Sequence, residues 1–203
     1  MPTAPGGTLT ADRILLAAED VVRRHGPSKA TVVDVAQSLG VSHGSIYRFF
    51  PTKAALREAV VAVWLGRVVT ELEAEAIRSA GEPDLERIEA WLRRLRRLKR
   101  EQKATDPELF EAFRRLSEDN PGPVLAYKAR LETLLASMVA PGIQRKSLAS
   151  GNPRVVARLL LNAMIRFSHP ALASSWDTPE AEAEFVELWA VLAQGIQHPR
   201  KSS

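Results

Sequence analysis

Residues Thr31 to Lys53, TVVDVAQSLGVSHGSIYRFFPTK, decide the fold. Thr31 is a capping residue, and behind it Val32, Val35, Ala36 and Leu39 recur at the i, i+3, i+4, i+7 spacing of a helix with one apolar face. Asp34 stands at the third helical position, where its carboxylate can bond back to the cap. Gly40 falls where the chain must take a left-handed turn, and the small Ala36 lets a second helix come close. Ser42 caps that second helix. Within it, Ile46 and Phe49 or Phe50 can face inward, leaving His43, Gly44, Ser45, Tyr47 and Arg48 outside. Pro51 stops it, and Thr52 caps a further helix whose first turn carries Lys53. Two short helices at a tight turn, the second polar and exposed, are the layout of a helix-turn-helix DNA reader.

As an ordered set, Thr31, Ala36, Gly40, Val41, Ser42, Gly44, Tyr47, Phe50 and Lys53 resemble the head of the TetR (AcrR-like) family of bacterial transcriptional regulators. The resemblance covers roughly residues 10 to 57; the rest of the chain matches only in being helical and of suitable length. It implies a three-helix DNA-binding head and a helical body that binds an effector and dimerises. It also implies roles. The backbone amides at the start of the second helix, the Thr31 hydroxyl, Tyr47 and the Lys53 ammonium would meet phosphate. Ser42, His43, Ser45 and Arg48 would read base edges, with Gly44 permitting close approach. Each residue has a plainer reading: Tyr47 as a buried core aromatic, His43 as an exposed helix residue, Arg48 as the partner of an acidic neighbour.

Composition agrees with a helical regulator. The chain has 203 residues, 45% hydrophobic and 26% charged, an ordinary globular balance. No apolar run approaches the roughly 20 residues that cross a bilayer, and the first dozen residues lack the features of a secretion signal, so the expectation is a cytoplasmic protein without a membrane partner. There is no cysteine, and His25, His43, His169 and His198 lack metal-ligand spacing; no cofactor or metal is expected. Neither a nucleophile with a positioned base nor paired carboxylates stands out, which argues against an enzyme.

The net charge is +4, from 28 basic and 24 acidic side chains. Through residue 57, Arg13, Arg23, Arg24, Lys29, Arg48, Lys53 and Arg57 face only Asp12, Glu19, Asp20 and Asp34, making the head basic. The denser run Arg93, Arg94, Arg96, Arg97, Lys99 and Arg100 shares its segment with the inward stripe Ile88, Trp91, Leu95 and Leu98, and reads as a solvated helix face.

Proline punctuation divides the remainder into an all-α chain of about nine helices. Residues 1–9 read as a flexible arm, 10–57 as the helix-turn-helix domain, 58–198 as the effector-binding and dimerisation domain, and 199–203 as a tail. The first helix runs from about Thr10 to His25 and is closed by Gly26-Pro27; the connecting helix starts near Lys53 and ends near Ala80 before Gly81-Glu82-Pro83. Asp106-Pro107, Asn152-Pro153 and Thr178-Pro179 mark three more starts, with helices expected at about 84–103, 107–118, 123–149, 153–168 and 179–197. Pro141-Gly142 should kink or break the longest of these.

The last two helices carry Val156, Leu160, Ala163 and Phe167, then Phe185, Leu188, Trp189, Leu192 and Ile196. Arg154, Arg158, Asn162 and Arg166 form a polar stripe at four-residue spacing on the first of the two. Such helices either complete the chain's own core or supply half of an intermolecular four-helix bundle, and the resemblance favours a homodimer on a palindromic DNA operator. Trp91, Phe110, Phe113, Tyr127, Met138, Met164 and Trp176 are bulky candidates for a small-molecule effector site, or else ordinary core. With few charges expected inside the body, an apolar or aromatic effector is favoured. His169-Pro170 is a pocket edge or a simple stop. A protein of this fold that acts through a protein partner, without a ligand, is the alternative reading.

Overall fold

The computed structural model describes residues 8–119 and 122–197, with the backbone alone at 116–119. Residues 1–7 of the expected arm, His198 and the tail 199–203 lie outside the described residues. Ten α-helices and one 3-10 helix are described: α1 (Ala11–Lys29), α2 (Val32–Leu39), α3 (His43–Tyr47), α4 (Lys53–Arg78), α5 (Asp84–Thr105), α6 (Pro107–Asp119), α7 (Gly122–Gln144), α8 (Pro153–Ala163), α9 (Ile165–Ser168), the 3-10 helix Pro170–Ser175, and α10 (Pro179–Ile196). Among the described residues the only strand-like pairing is an isolated antiparallel bridge between Leu148 and Gln197.

Two compact units divide the chain. One takes Met1–Gly66 with Ala104–Leu125, the other Arg67–Lys103 with Ala126–Ser203. The first unit thus holds the helix-turn-helix head, the start of α4 through Gly66, and α6. In this first unit Ile14, Ala18 and Val21 of α1, Val35 of α2 and Ile46 of α3 share the buried core. Trp64 of α4 packs on Phe110 and Phe113 of α6, with ring centroids 6.4 and 6.0 Å away. Gly26 interrupts α1 at φ 75°, ψ 161°, a region open essentially to glycine, so the expected stop after His25 is a sharp break followed by one more turn. A Cβ there would lie 2.9 Å from Glu108 Oε2 of α6.

In the second unit α5 turns a broad face inward. Ile88, Trp91, Leu92, Leu95, Arg96, Leu98 and Lys99 are all buried. This corrects the reading of the Arg93–Arg100 run as a solvated face: Arg93 and Arg97 are exposed, but Arg96 and Lys99 point inward. The apolar spacing on α5 is wide enough to hide them, because neighbours cover it on more than one side.

Helix α7 runs through Pro141 and stops at Gln144, five residues short of the expected end. The chain turns back at Lys146 (φ 60°), and Gly142 makes room for the return, since a Cβ there would sit 2.6 Å from Leu148 Cδ1. Asp84 Oδ1 and Oδ2 accept hydrogen bonds from Arg145 and Ser147, fixing that return. The helix expected over 153–168 divides at Met164 (φ −80°, ψ −1°), whose amide is shared between the Leu160 and Leu161 carbonyls. No proline or glycine marks this break; Met164 turns its side chain into the core. His169 then ends α9 and caps the 3-10 helix through Nδ1, which accepts from the Ala171 amide at 3.3 Å, so it acts as a stop.

Candidate functional site

The turn between α2 and α3 is built as its residues require. Thr31 Oγ1 accepts from the Asp34 amide at 3.2 Å, and Asp34 Oδ2 accepts from the Thr31 amide at 2.9 Å and its hydroxyl at 2.7 Å, a reciprocal capping box. Those bonds hold the Asp34 carboxyl below its usual range. Gly40 adopts φ 67°, ψ 31°, closing α2 through amide bonds back to Ala36 and Gln37. Ser42 Oγ accepts from the Ser45 amide at 3.2 Å and starts α3.

Helix α3 spends almost nothing on its own core. Ile46 is its one fully buried side chain; Ser42, His43, Gly44, Tyr47 and Arg48 are exposed and Ser45 is half-covered. Tyr47, 40% exposed, stands edge-on to the His43 ring with centroids 6.3 Å apart, which removes the buried-aromatic reading. Of the two phenylalanines after it, Phe49 is exposed and Phe50 partly covered. The Ser42 and Ser45 hydroxyls lie 2.9 Å apart, within hydrogen-bond reach of each other. At Gly44 an added Cβ would meet only Ser42 Oγ at 3.8 Å, so nothing in this chain demands glycine there.

Charge in the head is uneven. Arg23 is neutralised by Glu19, Asp20 and Asp106 at 3.1, 3.0 and 2.7 Å. Among the described residues no acidic side chain pairs with Arg48 or Lys53, so the ion-pair reading of Arg48 does not hold. Thr31 of the α2 cap and Lys53 at the start of α4 line one small cavity of about 40 Å³, which brings together two groups far apart in sequence. Thr31, Arg48 and Lys53 are all exposed.

The body residues sort differently. Trp91, Phe110, Phe113, Tyr127, Met138, Met164 and Trp176 are all buried, but Phe110 and Phe113 belong to the first unit, packed on Trp64, and not with the other five. The body also buries Asp84, Arg96 and Lys99, which overturns the expectation of few interior charges and removes the argument for a wholly apolar effector. Burial lowers the Lys99 ammonium to about 7. Nothing in the sequence pattern isolates these groups from the exposed arginines beside them.

On the last helices, Leu160, Phe167, Phe185 and Trp189 are already covered by their own chain, whereas Val156, Ala163, Leu188, Leu192 and Ile196 are half-covered. An apolar groove of about 430 Å³ lies between the ends of α7, α8 and α10, lined by Ile143, Val156, Leu159, Val191, Leu192 and Ile196. Leu159 (59%) and Val191 (68%) are its exposed apolar side chains, and neither is among the residues expected from sequence at a dimer interface. Among the described residues no group of three or more metal-binding side chains is gathered, and no helix is long and apolar enough to cross a membrane.

Two family models match this chain. Residues 14–60 match that of the bacterial regulatory proteins of the tetR family, and residues 85–189, more than half the chain, match the tetracyclin repressor-like C-terminal domain. A helix-turn-helix-type transcriptional regulator of Mycobacterium tuberculosis is 40% identical over 53 residues, 26% of this chain and 26% of that protein. The match thus spans about a quarter of that relative's length. The fold is similar to Thermus thermophilus FadR, a TetR-family transcriptional repressor in complex with lauroyl-CoA (TM-score 0.71, 20% identity, covering 96% of this chain and 98% of that one). It is also similar to Bacillus subtilis FadR in complex with stearoyl-CoA (TM-score 0.66, 17% identity, covering 93% and 100%).

Proposed function

We infer that this chain, which belongs to the TetR family of bacterial regulatory proteins, is a DNA-binding, ligand-responsive transcriptional regulator, and not an enzyme. The observation that carries this is α3: one buried side chain, and around it a contiguous polar surface with an unneutralised Arg48 beside it. A helix so poorly invested in its own core is explained by a partner surface, and the major groove admits a helix of this width.

In detail, α3 enters the major groove. Ser42, His43, Ser45 and Arg48 reach base edges, and the short Ser42 and Ser45 side chains make the close approach at Gly44 useful. Thr31, the α2 amides, Tyr47 and Lys53 hold phosphates and set the register. Lys53 suits that role because it stands exposed at the first turn of α4.

The protein acts as a homodimer on a palindromic operator, its two recognition helices about 34 to 36 Å apart or a multiple of that. The groove with Leu159 and Val191 supports this reading, since large exposed apolar side chains around a concave apolar surface are what a second copy would cover. Repression ends when a small molecule bound in the body favours a state whose heads no longer match the groove. A coupling of about 1 to 3 kcal/mol is enough to empty a promoter. Helix α4 is the lever, because Lys53 begins it and the same helix continues into the second unit.

The test is a binding selection on sheared genomic DNA in moderate salt, with wild type beside Tyr47→Ala. Recovery of a short palindrome by the wild type alone is the expected result. Equal enrichment by both proteins would sink the operator reading and favour a protein partner.

A further inference from the structure

Among the described residues, no carboxylate pairs with Arg57 of α4. It follows Lys53 by four residues, one turn further along the same helical face, and it lines the same cavity as Lys53 and Thr31. That cavity is otherwise walled by apolar side chains, Val32, Val35, Leu56 and Val60 among them. The Arg57 side chain is half-buried, and its Nε is buried with no hydrogen-bond partner. Asp34, at the start of α2, is committed to the Thr31 amide and hydroxyl and does not answer this charge. Two cations at i, i+4 spacing repel each other, and the first turns of a helix are where positive charge stabilises it least. Lys53 and Arg57 together therefore work against the free head, and an anion from outside the chain would offset that cost.

We propose that Arg57 is a further phosphate-contacting residue of the DNA-binding head, holding the backbone phosphate next to the one taken by Lys53. Its apolar stem rests in the cavity wall, which limits where the guanidinium can go, so little freedom is lost when it meets an anion. The planar donors of arginine match two oxygens of one phosphate. Because Arg57 stands on α4 and not on α3, it adds hold and register without sequence choice. The cavity gathers Thr31 from the cap of α2 and two cations from α4, so one stretch of DNA backbone crossing its mouth meets both helices. This inference rests on the reading of the head as DNA-binding and adds a contact to it.

The experiment measures fluorescence anisotropy of the full-length protein on two duplexes of about 30 base pairs, the palindrome recovered by the genomic selection and an unrelated sequence, from about 50 to 200 mM salt. Arg57→Gln keeps most of the stem and removes the charge. It should weaken both duplexes alike, by roughly three- to tenfold, and lower the slope of log affinity against log salt by about 1. Arg57→Lys should restore the slope, and joining Arg57→Gln to Lys53→Ala should lower it by about 2, since two phosphates are then released. The urea midpoint of Arg57→Gln should stay level or rise, because a repulsion is removed. The proposal is overturned if Arg57→Gln leaves the salt slope unchanged, or if Arg57→Lys loses as much as Arg57→Gln, which would make the role one of packing. Should Arg57→Gln fail to fold, Arg57→Met takes its place in the same titration. Wild-type binding whose slope ignores Arg57 removes this contact and keeps the regulator. Wild type that binds neither duplex removes both.

Discussion

Arg23 of α1 donates from Nε to Asp106 Oδ1 at the start of α6 across 2.7 Å, while Asp106 Oδ2 accepts from Trp64 Nε1 of α4 at 3.4 Å. One carboxylate thus ties three helices of the first unit together, and the Asp106 hydrogen bond is the main cause of the raised Arg23 pKa. Arg23 is partly exposed, which limits what the pair is worth. A double-mutant cycle of Arg23→Gln and Asp106→Asn in urea unfolding should return a coupling of about 0.5 to 1 kcal/mol. A coupling of zero would mean that α6 is held by its aromatic contacts alone.

Gly44 separates folding from recognition. Because a Cβ there meets nothing closer than 3.8 Å, Gly44→Ala should leave stability unchanged or raise it by up to about 1 kcal/mol, as alanine favours helix. Operator affinity should nevertheless fall at least tenfold if DNA approaches the α3 backbone there. Unchanged affinity in a fluorescence anisotropy titration would show that α3 is not packed closely in the groove.

Lys53 and Arg48 should differ in kind. Lys53→Ala should weaken all DNA sequences alike and lower the slope of log affinity against log salt by about 1, the signature of one lost phosphate contact. Arg48→Ala should instead relax the preference for operator over unrelated DNA. The two roles would be exchanged if the salt slope moved with Arg48 alone.

Lys99 makes a pH prediction. Below about 7 its amine is protonated in both folded and unfolded chains, so the folded state bears the full cost of burying the charge. As pH rises from about 7 toward the ordinary lysine value of 10.5, the unfolded chain binds the extra proton and the Lys99 contribution to stability climbs. Without ligand, Lys99→Met should therefore be more stable than wild type at pH 7, with the gap narrowing by pH 9. Urea midpoints at both pH values check this, and a gap that is constant with pH would mean that Lys99 is not the titrating group.

The groove on α8 and α10 predicts the oligomeric state. Leu159→Glu places a charge on an exposed apolar side chain beside Val191 and should cost the monomer fold little. Sedimentation should show wild type as a dimer and the variant shifted to monomer by at least tenfold in dissociation constant. A variant that remains dimeric would place the interface elsewhere.

The head was legible in the sequence because each of its devices is local. The Thr31–Asp34 box, the left-handed Gly40 and the Ser42 cap all act within four residues, so the chemistry of the side chain and the spacing fix the geometry. The same holds for the Asn152 and Thr178 caps, whose side chains accept from Arg154 and Ala181 as their positions before proline require. What only the tertiary structure decided is how helices cover one another. Helical period alone could not tell that Arg96 and Lys99 turn inward while Arg93 and Arg97 face water, since all four lie within two turns of α5. Nor did it separate Phe185 and Trp189, already buried by their own chain, from Leu159 and Val191, left open. Burial is a property of neighbours distant in sequence, and with it came the break at Met164, the stop after Gln144 and the inward turn of Lys99.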